Sequence, residues 1–108
     1  MSKFMILYRS TTSARERLAN STPEQMEAGM RAWQAWGQRV DYALADMGSP
    51  LAHTAHVGPG AASADGLAGY SILEAGSADE VETLLEGHPH LDIPGASIEV
   101  LEVTPIGG

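Results

Sequence analysis

The chain has no cysteine, so disulfides, thiolate nucleophiles and thiolate metal centres are absent from its chemistry. Basic residues are missing from most of its length. All six (Lys3, Arg9, Arg15, Arg17, Arg31 and Arg39) lie in the first 39 positions. Of the 14 acids only Glu16, Glu24 and Glu27 precede Val40, which leaves 11 in a segment without Lys or Arg. A chain of formal charge −8 with no basic stripe repels phosphate backbones, so nucleic acid is not an expected partner. The apolar opening, residues 3–8, is too short for a signal peptide or a membrane span, and a cytoplasmic protein without membrane contact is expected. No Gly-rich phosphate loop of the P-loop or Rossmann type is present, and no cofactor is expected.

What remains is ordinary globular material. At 108 residues and 44% hydrophobic content, residues 1–108 form one domain able to bury a core without staples. Lys3-Phe4-Met5-Ile6-Leu7-Tyr8 is apolar on both alternating faces and reads as a central strand. Residues 9–21 are polar and read as a loop, a candidate lid. Thr22, Pro23 and Gln25 form a capping box that starts a long helix. Its stripe, Met26, Met30, Trp33, Gly37, Val40, Leu44 and Met47, carries that helix to a stop at Gly48 and Pro50. Gly29 and Gly37 suit close approach of another backbone or ring.

Leu51 to Val57 alternates and reads as a second strand, ended by Gly58-Pro59-Gly60. Asp65-Gly66 marks a tight turn into a strand over Gly69–Ala75. Ser77-Ala78-Asp79-Glu80 opens a second helix with Val81, Leu84 and Leu85 inward, and Ser97–Val103 is the last strand. The order strand, helix, strand, strand, helix, strand predicts an α+β, ferredoxin-like βαββαβ domain with an antiparallel sheet and both helices on one face. The opposite face is then apolar and bare, and a homodimer joined sheet to sheet is the simplest way to cover it.

These motifs are similar to those of the YCII-related family, in its DGPF branch. Lys3–Tyr8 resembles the family's first strand. Asp65-Gly66 with Gly69-Tyr70-Ser71-Ile72-Leu73-Glu74-Ala75 resembles its Asp-Gly-Pro-Phe segment and the Gly-Tyr strand that follows. Ser77–Glu80 and Gly95–Val100 resemble its next helix start and closing strand. Leu67-Ala68 stand where the family has Pro-Phe. The resemblance implies a dimeric α+β barrel with an internal cavity.

Chemistry concentrates in His88-Pro89-His90-Leu91-Asp92. Histidine titrates near neutrality, so His88 and His90 are candidate general bases, with Asp65 or Asp92 as the carboxylate that raises a histidine pKa. Two imidazoles and a carboxylate also have the donors for a divalent metal, but Ile93 stands where the metal run of binuclear hydrolases has a further histidine, and no metal is assigned. The competing account has Pro89 fixing a helix exit while both histidines cap carbonyls or pack. Trp36, Tyr70, Ser71 and His53 are the remaining candidates for contact with an unidentified small molecule. His53 and His56 point to opposite faces of a strand and make a poor chelate. The expected function is small-metabolite binding with His-based acid–base chemistry. A cofactor-free dimeric-barrel enzyme (monooxygenase, isomerase or hydrolase) and a partner-binding regulator are the alternatives.

Overall fold

The computed structural model describes residues 1–11, 14–60 and 66–106. Its elements in chain order are β1 (Ser2–Arg9), α1 (Ala14–Asn20), α2 (Pro23–Arg39), β2 (Leu44–Pro50), β3 (Leu67–Ala75), α3 (Ala78–Leu84) and β4 (Ser97–Glu102). Short 3-10 turns lie at Asp41–Ala43 and Pro89–Asp92. The four strands form one antiparallel sheet in the order β2-β3-β1-β4. The fold is α+β and ferredoxin-like, with β1 and β3 central as their two-sided apolar character demands. No helix among the described residues is long and apolar enough to cross a membrane.

Alternation along β1 divides the sheet into two faces. Phe4, Ile6 and Tyr8 are buried, with Leu73, Ser71 and Gly69 opposite them on β3. Above this face lie Trp36 and Val40 from the end of α2 and Val81, Leu84 and Leu85 from α3, and these form one core with it. Thr22 caps α2 through its hydroxyl, and Gln25 answers with its side chain, so the capping box forms as its residue types require. Ser77 caps α3 in the same way by accepting from the Glu80 amide.

Three expectations are corrected. Residues 9–21 are not all loop, because Ala14–Asn20 is helical. The long helix does not run to Met47: it ends at Arg39, and Leu44–Pro50 is the strand β2. Leu51–Val57 is exposed and without regular structure. The helical stripe continues through Val40, Leu44 and Met47 because those residues still face the core from a 3-10 turn and a strand. Side-chain spacing survives the change of backbone, so the period alone cannot see it. Gly48 is no helix cap either. It sits at φ +81° inside β2, where a Cβ would fall on the Tyr70 carbonyl oxygen. Its amide donates to the Asp46 carboxylate at 2.8 Å, and the ladder between β2 and β3 is irregular on both sides of Asp46.

Candidate functional site

Trp36 and Val40 are fully packed on the sheet, whereas Met26 and Met30, in the first half of α2, remain exposed. The first half of α2 stands off the sheet. Between them is a cavity of about 610 Å³. Met26, Met30, Trp33 and Met47 supply much of its apolar wall, and Tyr8 and Pro50 extend it. Gly29 also lines it, with nothing within 4 Å of where a Cβ would be, whereas a Cβ on Gly37 would lie 3.2 Å from the Met47 sulfur. The backbone or ring expected at both glycines is therefore found at neither: Gly37 faces the Met47 thioether, and Gly29 faces open space.

The polar groups of the wall are few. Arg17 from α1 is its only formally charged side chain among the described residues, and Gln25, Gln34, Ser21, Ser49 and His90 add polar groups to those of the Tyr8, Tyr70 and Trp33 rings. Among the described residues no carboxylate pairs with the Arg17 guanidinium.

Pro89 starts the 3-10 turn that presents both histidines inward. His88 and His90 are each about 1% exposed. His88 Nδ1 accepts from the His90 backbone N–H at 3.0 Å, so in the neutral ring the proton sits on Nε2. That Nε2 is sealed and has no partner. The ring is enclosed by Tyr8, Trp33 and Trp36, with centroids 5.0, 4.5 and 4.3 Å away. Burial in this aromatic box pushes the His88 pKa down to about 3, helped by the nearby His90 and the Arg39 guanidinium.

His90 is anchored differently. Its Nε2 lies 2.8 Å from the Arg9 carbonyl and 3.1 Å from the Ser97 carbonyl. Arg9 and Ser97 are cross-strand partners on β1 and β4, so the ring closes the end of that ladder. Carbonyls only accept, which places the ring proton on Nε2 and leaves Nδ1 as a lone pair. Burial lowers the His90 pKa, the two carbonyls raise it, and the Arg17 guanidinium lowers it.

Tyr8 lies under both histidines and donates its hydroxyl to Ser71 Oγ at 2.8 Å, which in turn donates to the Met47 carbonyl at 2.6 Å. Burial drives the Tyr8 pKa up to about 12, so the phenol stays protonated. This relay ties β1, β3 and β2 together beneath the cavity.

Of the residues singled out from sequence, His90 and Tyr70 line the cavity, although by alternation the Tyr70 ring belongs to the opposite sheet face with Leu7 and Ile72. His88 is behind the wall. Trp36 is in the core, where its indole N–H donates to the Leu84 carbonyl at 3.0 Å, and Ser71 is buried in the Tyr8 relay. His53 and Asp92 are exposed and outside the wall, and Asp65 lies outside the described residues. Among the described residues no three His, Asp or Glu side chains converge as a metal site. Sequence reasoning missed Arg17, Tyr8 and Met47. The cationic character of Arg17 in an acidic chain was visible, but its place on a helix beside His90 was not.

No protein-family model matches the chain, and no curated protein matches it. Among solved structures it is similar to the 5-chloro-2-hydroxyhydroquinone dehydrochlorinase of Burkholderia phenoliruptrix AC1100, in complex with 2,5-dihydroxybenzoquinone. The two are 22% identical over 89% of this chain and 90% of that one, with a TM-score of 0.45. A likeness that distant assigns no role to any residue here.

Proposed function

We propose that this is a small-molecule-binding protein of the YCII-related kind, whose ligand occupies the cavity between the first half of α2 and the β2–β3 edge. The observation that carries the reading is the void itself. About 610 Å³ stays open beside a core that is otherwise closed, and its size is that of ordinary ligand sites. Methionine suits such a wall, because its flexible thioether adapts to different guests. The Asp-Gly pair at 65–66 in the sequence and the Gly69–Ala75 segment support this reading, and β3 spans that segment.

Titration with nitrobenzene, a compact apolar probe, tests this reading. Saturable one-to-one binding is expected by calorimetry. Gly29→Phe projects a ring into the cavity where a Cβ meets no neighbour, and it replaces a poor helix former. The variant is expected to keep or raise its Tm while losing at least tenfold in affinity. Equal binding by both proteins would place the ligand elsewhere.

The working unit is proposed to be a homodimer. On the sheet face away from the helices, Met5, Leu7 and Ile72 are only half-buried and Leu101 is 45% exposed. A copy of a chain of charge −8 would ordinarily be repelled, yet this face is balanced. Lys3 lies opposite Glu74 at one end, and Arg9 pairs with Glu99 at 2.7 Å at the other. Native mass spectrometry should show twice 11.4 kDa. Ile72→Lys sets like charges across the two-fold and should weaken association by about 100-fold or more. A monomeric wild type would end the dimer proposal and leave the cavity intact.

A further inference from the structure

We propose that His90 Nδ1 and the Arg17 guanidinium form a proton-abstraction site for an acidic hydroxyl, a phenol or an enol, borne by a flat and largely apolar ligand. This rests on the reading of the cavity as a ligand site and names the chemistry that the site would take. Both groups belong to the cavity wall. His90 Nε2 is committed as a donor to two carbonyls, so Nδ1 can only accept. Nδ1 has no partner among the described residues, yet His88 Nε2 is the one sealed, unpartnered side-chain nitrogen or oxygen among them. His90 is only about 1% exposed, yet it belongs to the cavity wall, and Nδ1 is the ring nitrogen that no described group occupies.

Ligand class follows from the pair. Arg17 is donor only, and His90 Nδ1 is acceptor only. A group between them must donate to one and accept from the other, which a hydroxyl does. A carboxylate offers lone pairs to both and would set an acceptor against Nδ1. The hydroxyl must also be an acidic one. Burial and the neighbouring Arg17 make His90 a weak base, so an alkanol would keep its proton whereas a hydroxyl on an sp² carbon can yield it. The Trp33 and Tyr8 rings and the methionines supply a wall suited to a planar body.

The step is simple in its balance. The ligand O–H bond breaks, the proton passes to Nδ1, and the electron pair stays on oxygen beside the guanidinium. The imidazolium so formed keeps its Nε2–H on the Arg9 and Ser97 carbonyls, which orient it and share its charge. The other titratable groups around His90 do not compete for that proton. Tyr8 holds its own up to about pH 12, and His88 stays neutral down to about pH 3.

The test uses 4-nitrophenol, whose phenolate absorbs in the visible, with nitrobenzene as the hydroxyl-free control. Below the pKa of the free probe, the wild type is expected to bind 4-nitrophenol with the phenolate band present. The bound probe's ionisation midpoint should fall by about one pH unit or more, tenfold in its ionisation constant. Arg17→Met and His90→Gln, the latter keeping an N–H for the two carbonyls, should each lose that shift, and saturable nitrobenzene binding, at whatever affinity, shows that the cavity still forms in each variant. A probe bound as the neutral phenol, or a phenolate band that survives both substitutions, overturns the proposal and leaves the cavity reading standing. Failure of both probes to bind removes the cavity reading and this proposal with it.

Discussion

Below about pH 6.5 the folded state is expected to lose stability at close to 1.4 kcal/mol per pH unit, a loss that sets in above the range in which carboxylates titrate. The cause is His88. In the unfolded chain it takes up a proton near its ordinary pKa of 6.5, but in the fold its pKa is lowered to about 3 by burial among Tyr8, Trp33 and Trp36. Between those values the unfolded state holds the extra proton. Stability therefore rises with pH across the window and falls as pH drops through it. The lowered pKa of His90 acts in the same direction.

Urea unfolding followed at several pH values measures this, and His88→Phe isolates the residue responsible. Phenylalanine suits the aromatic box but leaves the His90 amide without its acceptor, at about 1–3 kcal/mol. The variant should be less stable than the wild type at neutral pH. In mild acid its stability should decline more slowly, so the two curves converge. Parallel curves would mean that the His88 ring meets solvent more readily than its enclosure implies.

The features legible in the sequence were those written in local chemistry. Thr22 and Gln25, and Ser77 with the Glu80 amide, set helix starts by hydrogen bonds between near neighbours, and both caps are present. The two-sided apolar character of Lys3–Tyr8 required a strand flanked on both sides, and β1 lies between β3 and β4. The helix end failed because Val40, Leu44 and Met47 obey the helical period while the backbone leaves it. β2 was hidden because Asp46, Gly48, Ser49 and Pro50 have the composition of a turn, and only the Tyr70 carbonyl lying against Gly48 explains why a strand passes there.

The site divides in the same way. His88 and His90 were visible as a pair, but their protonation was not, because each tautomer is set by a backbone group brought to it by the fold. The Arg9 carbonyl that anchors His90 is 81 residues away in sequence. Met26 and Met30 announced an apolar face, but no spacing says whether such a face meets a sheet or a void. That depends on where the rest of α2 is held, and Trp36 holds it.

Replacing that anchor should have the largest effect of any single change on stability. Trp36 is 3% exposed, packs in the core with Val40, Val81, Leu84 and Leu85, and joins α2 to α3 through its indole N–H on the Leu84 carbonyl. Trp36→Ala should reduce stability by about 3–5 kcal/mol, a large share of the 5–15 kcal/mol that a domain commands. For a chain of this length the expected fall in Tm is about 15–30 °C. Trp36→Phe keeps much of the buried ring but leaves the Leu84 carbonyl without its donor, so about 1–3 kcal/mol is expected. Trp33 stands three residues earlier, half-buried on the cavity wall. Trp33→Ala should disturb the fold much less and reduce nitrobenzene affinity at least tenfold. Thermal unfolding of the three variants beside nitrobenzene titration of Trp33→Ala and Trp36→Phe measures both effects. If Trp36→Phe abolished binding while Trp33→Ala did not, the cavity would have to be redrawn on the other side of α2.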